Sequence, residues 1–431
     1  MRRRPGQTAA PVSAEPRARA APHGAGDDAA ARFEALAARV RADIAAYRSV
    51  PSLARAAGSD RDALTALFLA HAHVTPSAWL KRERALAART ILLEHGASAA
   101  AAADAVGFAS EAAFRRAFMQ AARMTPEAYR GLRGGSSFEL RLPARYRSAD
   151  VLAYHGRDPE SPSERVDGSR LMKAVTTADG TAVLEIDVAP GRAAVRLHGP
   201  RRASRRALFE AHETALRLLG LTFDVPGFEA FALRDPVLGP LVAKRRGLHL
   251  PLTANTFDAL CWAILGQQIN LAFALGLRRD VLELAGERIG GLIAHPTPER
   301  LAALDPATLT RRRFSRAKAE YLIDTAAAVA AGDLDPEALG RGSAVSAEAA
   351  LTRLRGIGTW TARYVLMRGV GFVDAAPVGD VALAAALQHV TGANRRPTGD
   401  EVEALMRRFS PYRSLATFHL WASLKDREKG R

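Results

Sequence analysis

Residues 354–362 read Leu354-Arg355-Gly356-Ile357-Gly358-Thr359-Trp360-Thr361-Ala362. Two glycines one residue apart, between stretches of helical periodicity, let the backbone turn tightly and approach a ligand closely. With the N-terminus of the following helix, such a turn offers outward-pointing amides suited to a phosphate. A dinucleotide-binding loop is excluded, because the motif follows a helix and Thr361 stands where a third glycine is required. A plain turn between packed helices satisfies the same string, so its neighbours must decide.

Asp380 lies 20 residues past Trp360, after Pro377-Val378-Gly379 and at the start of a helical stretch over 381–390. An aspartate there is ordinarily an N-cap, and the helix N-terminus favours its negative charge. A fixed carboxylate is also what stabilises a developing cation, so capping and catalysis are compatible at Asp380. Trp360 and Tyr364 are one helical turn apart and Trp421 follows Leu420 near the C-terminus. Aromatic faces of this kind serve either a core or a cationic ligand. Further helices are expected at 317–331, 346–354, 360–367 and 399–409. Asn255 with Asp258 forms a capping pair before the apolar face Phe257, Leu260, Ile264 and Leu265.

Before this helical region the texture changes. Residues 137–142, 182–188 and 193–197 alternate as half-buried strands do, and Pro190-Gly191 separates the last two as a hairpin turn. An amphipathic helix follows at 208–219. This defines a small α+β domain over 138–246. Gly134-Gly135-Ser136-Ser137 reads as a flexible linker, and residues 31–133 as a separate Ala- and Leu-rich helical domain. Within it, Ala105-Val106-Gly107-Phe108-Ala109-Ser110 is a turn with a following cap. Phe114 and Phe118, one helical turn apart, anchor the next helix; an ordinary helical hairpin with a Phe core satisfies the string, and in a DNA-reading unit Arg115 and Arg116 would face a phosphate backbone or base edges.

The formal net charge is +16, with 61 Lys and Arg against 45 Asp and Glu. That excess points to a polyanionic partner. A hydrophobic content of 48% is ample for real cores. The single cysteine, Cys261, excludes an internal disulfide framework, a Cys-rich zinc site and an iron–sulfur cluster held by four thiolates. No apolar run is long enough for a bilayer, so no membrane partner and a cytoplasmic, nucleoid-associated location are expected. Residues 1–30, of low complexity, read as a disordered basic tail rather than a targeting peptide.

Taken together, 356–359 and Asp380 resemble the helix-hairpin-helix/Gly-Pro-Asp superfamily of DNA glycosylases, in particular 3-methyladenine DNA glycosylase II. The likeness continues at Ile264-Leu265-Gly266-Gln267-Gln268-Ile269-Asn270 and at Ser410-Pro411-Tyr412-Arg413-Ser414, and covers about 137–425. The string around Gly107 resembles the second helix-turn-helix of the AraC/XylS family. A degenerate first copy lies at 53–79, with Asp60 and Asp62 near its reading helix. The whole resembles bacterial fusions of an Ada-type regulator with an AlkA-type glycosylase, without their zinc-held, methyl-accepting module, since no cysteine precedes Cys261.

The resemblance implies a mainly α, multidomain protein. It comprises a helix-turn-helix domain, a TBP-like α+β domain and an all-α glycosylase domain from 247 to 431. It implies a monofunctional enzyme that flips alkylated purines, of the 3-methyladenine and 7-methylguanine type, out of double-stranded DNA and hydrolyses the glycosidic bond. Asp380 aligns with the catalytic aspartate. Trp360 fills the position of the Schiff-base lysine of glycosylase/lyases. Trp360, Tyr364, Trp421 and Tyr154 match aromatic positions of the base pocket. Gly356, Ile357, Gly358, Thr359 and Thr361 form the DNA-binding hairpin, and Gln268 the wedge. No cofactor is required by this chemistry. A structural Na⁺ or K⁺ on the carbonyls of Thr352, Leu354 and Ile357 is the one ion expected. Operator DNA is the expected partner of the helix-turn-helix. Two other readings stand beside this one: an AraC-type regulator of the alkylation response with a vestigial glycosylase domain, and a glycosylase/lyase for oxidised bases. The intact Asp380 opposes the first and Trp360 the second.

Overall fold

A computed structural model describes residues 25–199 and 202–429. The tail expected over 1–30 therefore lies outside the described residues up to 24. From Ala25 the chain is already helical, because Phe33, Leu36, Ala37 and Val40 supply a buried face.

The N-terminal region is helical. Helices α1 (Ala25–Ala42), α2 (Val50–Ala57), α3 (Arg61–Ala72) and α4 (Pro76–Thr90) lead to α5 (Ala99–Ala105), α6 (Glu111–Ala122) and α7 (Pro126–Gly131). Side-chain caps fix the starts: Asp60 for α3, Thr75 for α4, Ser98 for α5 and Ser110 for α6. Gly58 and Gly107, both at positive φ, make the turns of the two helix-turn-helix copies. Phe114 and Phe118 are fully buried, as their spacing requires.

A five-stranded antiparallel sheet follows, in the order β1-β5-β4-β3-β2. The strands are β1 (Ser137–Arg141), β2 (Glu164–Asp167), β3 (Arg170–Thr177), β4 (Gly180–Ala189) and β5 (Arg192–His198). The Pro190-Gly191 turn joins β4 to β5, with Ala189 opposite Arg192. Helices α8 (Ser148–His155) and α9 (Arg205–Leu218) accompany the sheet, and α9 packs on β3, β4 and β5.

Residues 134–137 do not form a flexible tether. Ser137 already pairs with Arg196 in the sheet, and the Arg141 amide donates to the Arg123 carbonyl. One continuous apolar core contains Leu92, Phe114, Phe118 and Tyr129 of the helical region together with Leu140, Leu184, Val195 and Leu208. Arg89 on α4 is completely buried and ion-pairs with Glu213 on α9, while His212 meets the Ala122 carbonyl at 2.8 Å. The second helix-turn-helix copy and the sheet are thus one packing unit.

The third region contains α10 (Val225–Ala232), α11 (Leu238–Lys244), α12 (Thr256–Gly266), α13 (Leu271–Ala285), α14 (Pro298–Ala302), α15 (Pro306–Thr310) and α16 (Arg316–Ala330). It closes with α17 (Ala344–Thr352), α18 (Thr359–Val365), α19 (Val381–Thr391), α20 (Gly399–Arg407) and α21 (Arg413–Lys429). The boundary expected near 246 falls earlier. Phe223, Val225, Phe228 and Leu238 belong to the same core as Leu260, Leu322 and Leu383. The region is not purely α either. A short pair, β6 (Glu287–Ile289) and β7 (Leu292–Ala294), leans on β3 and β4 and seals the sheet against α13.

The first helix-turn-helix copy is docked on this third region. His71 Nδ1 lies 2.7 Å from Ser343 Oγ, the Glu34 carboxylate accepts from the Ser343 amide, and His73 packs edge-on against Phe372. Burial pushes His73 and His249 down to about 4 and His419 to about 3. These rings are neutral in the fold and charge more readily when it opens. Their contribution is complete above the ordinary value of 6.5 and is lost as pH falls towards 4. A tenfold difference in proton affinity between the folded and unfolded chain is worth about 1.4 kcal/mol. Thermal unfolding across a pH series should therefore show the midpoint falling steeply between pH 6.5 and 4. A flat profile in that window would contradict the buried neutral rings.

Candidate active site

The site is built where α18, α19 and α21 meet. Gly379 turns the chain with φ +95°, and Asp380 caps α19 by accepting the Leu383 amide on Oδ1 at 2.7 Å. Trp421 Nε1 donates to the same oxygen at 3.0 Å, and Trp360 Nε1 donates to Oδ2 at 3.3 Å. Three N–H donors thus fix both carboxylate oxygens, leaving lone pairs free for a ligand. The loop carrying Asp380 is itself clamped. Arg413 Nε and a second guanidinium nitrogen reach the Asp374 carboxylate at 2.9 and 3.1 Å, and Ser414 Oγ accepts the Ala375 amide. This explains the Ser-Pro-Tyr-Arg-Ser string: its polar members hold the 372–380 loop.

The aromatic rings form a continuous run. Tyr364 lies 5.6 Å from Trp360 and 6.3 Å from Trp421, tilted about a third of a right angle to each. Trp262 on α12 donates to Tyr364 Oη at 2.8 Å. Burial pushes the Tyr364 phenol up to about 12, so it is a neutral donor and acceptor. Asp380, Trp360, Tyr364 and Trp421 are brought together as expected. Tyr154 joins at one remove, through Arg157, whose guanidinium lies 3.9 Å from the Tyr154 ring centre and 5.5 Å from that of Trp262. Arg368 also lies over Tyr154 and donates to its hydroxyl. Burial alone would raise this phenol, but the two guanidiniums overcome it and hold Tyr154 below the ordinary tyrosine value. Its ring is occupied by the protein's own cations.

The hairpin lies between α17 and α18. Gly356 has φ +82°, and a Cβ there would overlap ring carbons of Tyr321. At Gly358 a Cβ would meet nothing within 4 Å. Gly358 and Thr359 are exposed, whereas Ile357 and Thr361 are buried. Thr361 Oγ1 accepts from Gln267 Nε2 at 3.0 Å, and the Gly356 carbonyl accepts from the same nitrogen at 2.9 Å. Thr361 is therefore an internal anchor rather than an outward contact. Gly356→Ala should destabilise the fold by about 1–2 kcal/mol from the left-handed backbone alone, with the Tyr321 overlap added. Gly358→Ala should leave stability unchanged and weaken DNA binding. Thermal unfolding and duplex affinity of the pair check this, and equal stability of the two would contradict it.

Gln268 is exposed and itself has φ +55°; Leu271, three residues on, is 54% exposed. On α6, Arg116 is exposed but Arg115 is engaged by Glu111 and Glu127. Its charge is already balanced, which sequence spacing alone does not reveal. Nothing in the sequence pointed to Trp262, Arg157 or Arg368, and Gln267 was marked only as a member of the 264–270 string, without its anchoring role. Trp262 sits inside an apolar run but off the face marked by its neighbours. The two arginines belong to elements far apart in sequence. Among the described residues, no three His, Cys, Asp or Glu side chains are placed to hold a metal ion, and no helix is long and apolar enough to cross a membrane.

A two-helix hairpin facing an N-capping aspartate, beside a run of aromatic rings, defines a base-excision type of site. Comparison with known proteins agrees. The family described as HhH-GPD superfamily base excision DNA repair protein matches residues 261–411, and a helix-turn-helix domain family matches 53–131. A DNA-3-methyladenine glycosylase of Bacillus subtilis is 38% identical over 47% of this chain and 68% of its own length. A probable bifunctional transcriptional activator/DNA repair enzyme AlkA of Mycobacterium tuberculosis is 27% identical over 81% of this chain and 72% of its own. Among solved structures, a 3-methyladenine DNA glycosylase of Archaeoglobus fulgidus superposes with a TM-score of 0.59 at 21% identity, covering 66% of this chain and 97% of that one. The chain belongs to the DNA-3-methyladenine glycosylase family and is a DNA glycosylase that carries an AraC-type helix-turn-helix region.

Proposed function

We propose that the chain removes alkylated purines from double-stranded DNA as a monofunctional glycosylase. The observation that carries this reading is the Asp380 carboxylate, held by Trp360 and Trp421 in the aromatic run, with an indole where a lyase needs an amine. Extruding a nucleotide costs a few kcal/mol, least for a damaged pair. A purine alkylated at N3 or N7 is cationic. Stacked on indole or phenol faces it gains roughly 0.5–2 kcal/mol. When the C1′–N bond breaks, the bonding pair leaves with the base, which departs neutral and needs little help from an acid. The sugar becomes oxocarbenium-like, and the fixed Asp380 carboxylate stabilises it. Water adds to C1′ and gives up its proton to Asp380 or to solvent.

The hairpin and Gln268 act before chemistry. The Gly358 and Thr359 amides receive a DNA phosphate, and Gln268 fills the gap left by the extruded nucleotide. A monovalent cation at the hairpin would be held by the backbone carbonyls of Thr352, Leu354 and Ile357, beside the end of α17 where helical carbonyls lose their partners. Such an ion would offer its positive charge to the phosphate. Arg116 adds duplex contact from α6; Leu271, beside the wedge, offers an apolar face to an opened stack.

The test is treatment of abasic and methylated duplexes with borohydride. A monofunctional enzyme forms no trapped protein–DNA adduct while releasing methylpurine. An adduct would overturn the assignment.

A further inference from the structure

Lys318 on α16 is only 8% exposed, yet its partners are carbonyls rather than a carboxylate. Its ammonium donates to the carbonyls of Ile264 at 3.0 Å, Leu265 at 2.7 Å and Gln267 at 3.0 Å. These carbonyls lie at the end of α12, where helical partners run out, although that of Ile264 also accepts the Gln267 amide at 3.3 Å. An ammonium has three N–H donors, matching the three acceptors one to one. Burial pushes its value down to about 8, so holding the charge there works against desolvation. Apolar packing would be cheaper, and what the charge provides is the geometry of the α12 end.

That geometry continues in both directions. Gln267, held by its carbonyl, reaches with Nε2 to the Gly356 carbonyl and Thr361 Oγ1 across the hairpin. The next residue, Gln268, keeps a left-handed backbone that costs a non-glycine residue about 1–2 kcal/mol. Asn270 then caps α13 through the Phe273 amide at 2.9 Å. The exposed Gln268 is thus the tip of a loop pinned on both sides.

We propose that Lys318 and Gln267 are positioning residues that lock the 267–269 loop to the 356–361 hairpin, so that gripping the phosphate and wedging open the stack occur as one event. Lys318 sets the height of the loop and Gln267 sets its distance from the hairpin. The proposal rests on Gln268 being the wedge, and the experiment separates the two.

The probe is a duplex with 2-aminopurine beside a tetrahydrofuran abasic analogue, whose fluorescence rises when the stack is opened. Single-turnover release from methylated DNA and duplex affinity are measured alongside. Lys318→Met and Gln267→Leu are each expected to reduce the fluorescence rise and slow release about tenfold or more, with affinity changed less than about threefold. Lys318→Arg, which keeps the charge and its donors, is expected to restore most of the signal. Wild-type fluorescence and release in a Lys318→Met protein of normal thermal midpoint would overturn the brace. If that variant does not fold, Gln267→Leu decides alone, and normal behaviour of it overturns the brace. Gln268→Ala is the control. If it leaves the fluorescence rise intact, the wedge reading falls and the brace with it. If it removes the rise while Lys318→Met and Gln267→Leu keep it, the brace alone is overturned.

Discussion

Asp380→Asn is expected to bind methylated duplex DNA with near wild-type affinity and to release base on the order of a thousandfold more slowly. The substitution keeps the shape of the cap, and one amide oxygen still accepts the Leu383 amide. What it removes is the negative charge beside the sugar. It also turns one carboxylate oxygen into an NH₂ group that meets an indole N–H head-on, since both oxygens now accept from tryptophans. Loss of one preorganised electrostatic group in a water-excluded site costs on the order of a hundred- to a thousandfold. A full charge at the reaction centre belongs at the upper end. Single-turnover release and filter binding separate the two effects. Turnover within about tenfold of wild type by a folded variant would sink the mechanism.

Glu213→Ala is expected to destabilise the protein by about 3–5 kcal/mol, the usual cost of stranding a buried charge. Its partner Arg89 is completely buried between Tyr129 and Phe209. The pair holds the Arg89 guanidinium above its ordinary value and the Glu213 carboxyl well below its own, each against the penalty of burial. Because Arg89 belongs to α4 and Glu213 to α9, the damage falls on the union of helix-turn-helix and sheet. Replacing both, as Arg89→Met with Glu213→Leu, should recover most of the loss. An unchanged thermal midpoint in Glu213→Ala would mean the pair does not hold the two together.

Much of this was legible before folding. The glycine hairpin, the capping Asp380 and the pair Trp360 and Tyr364 carry local signals, and the helices around them start and stop within a few residues of expectation. The strand pair around Pro190-Gly191 was equally plain, since a tight turn and alternation are local properties. Strand β3 was missed because its central Lys173 reads as a solvent-facing charge. It is in fact buried and paired with Glu164, which also meets Arg278. The linker over 134–137 was misread for a related reason. Glycine and serine mark a backbone that can bend, but whether it does is decided by what packs on either side. Here Leu140 and Phe118 share one core. The inner half of the site was invisible for want of locality. Arg157, Trp262 and Arg368 come from α+β and glycosylase elements that only the fold brings to Tyr154 and Tyr364.

Chromatographic identification of bases freed from methylated duplex DNA by the full chain, with strand breaks scored before and after alkali, decides whether the chain is a monofunctional alkylpurine glycosylase. Free 3-methyladenine and 7-methylguanine are expected, with breaks that appear only after alkali. Intact methylpurines after incubation with a well-folded protein, or breaks before alkali, would contradict that assignment.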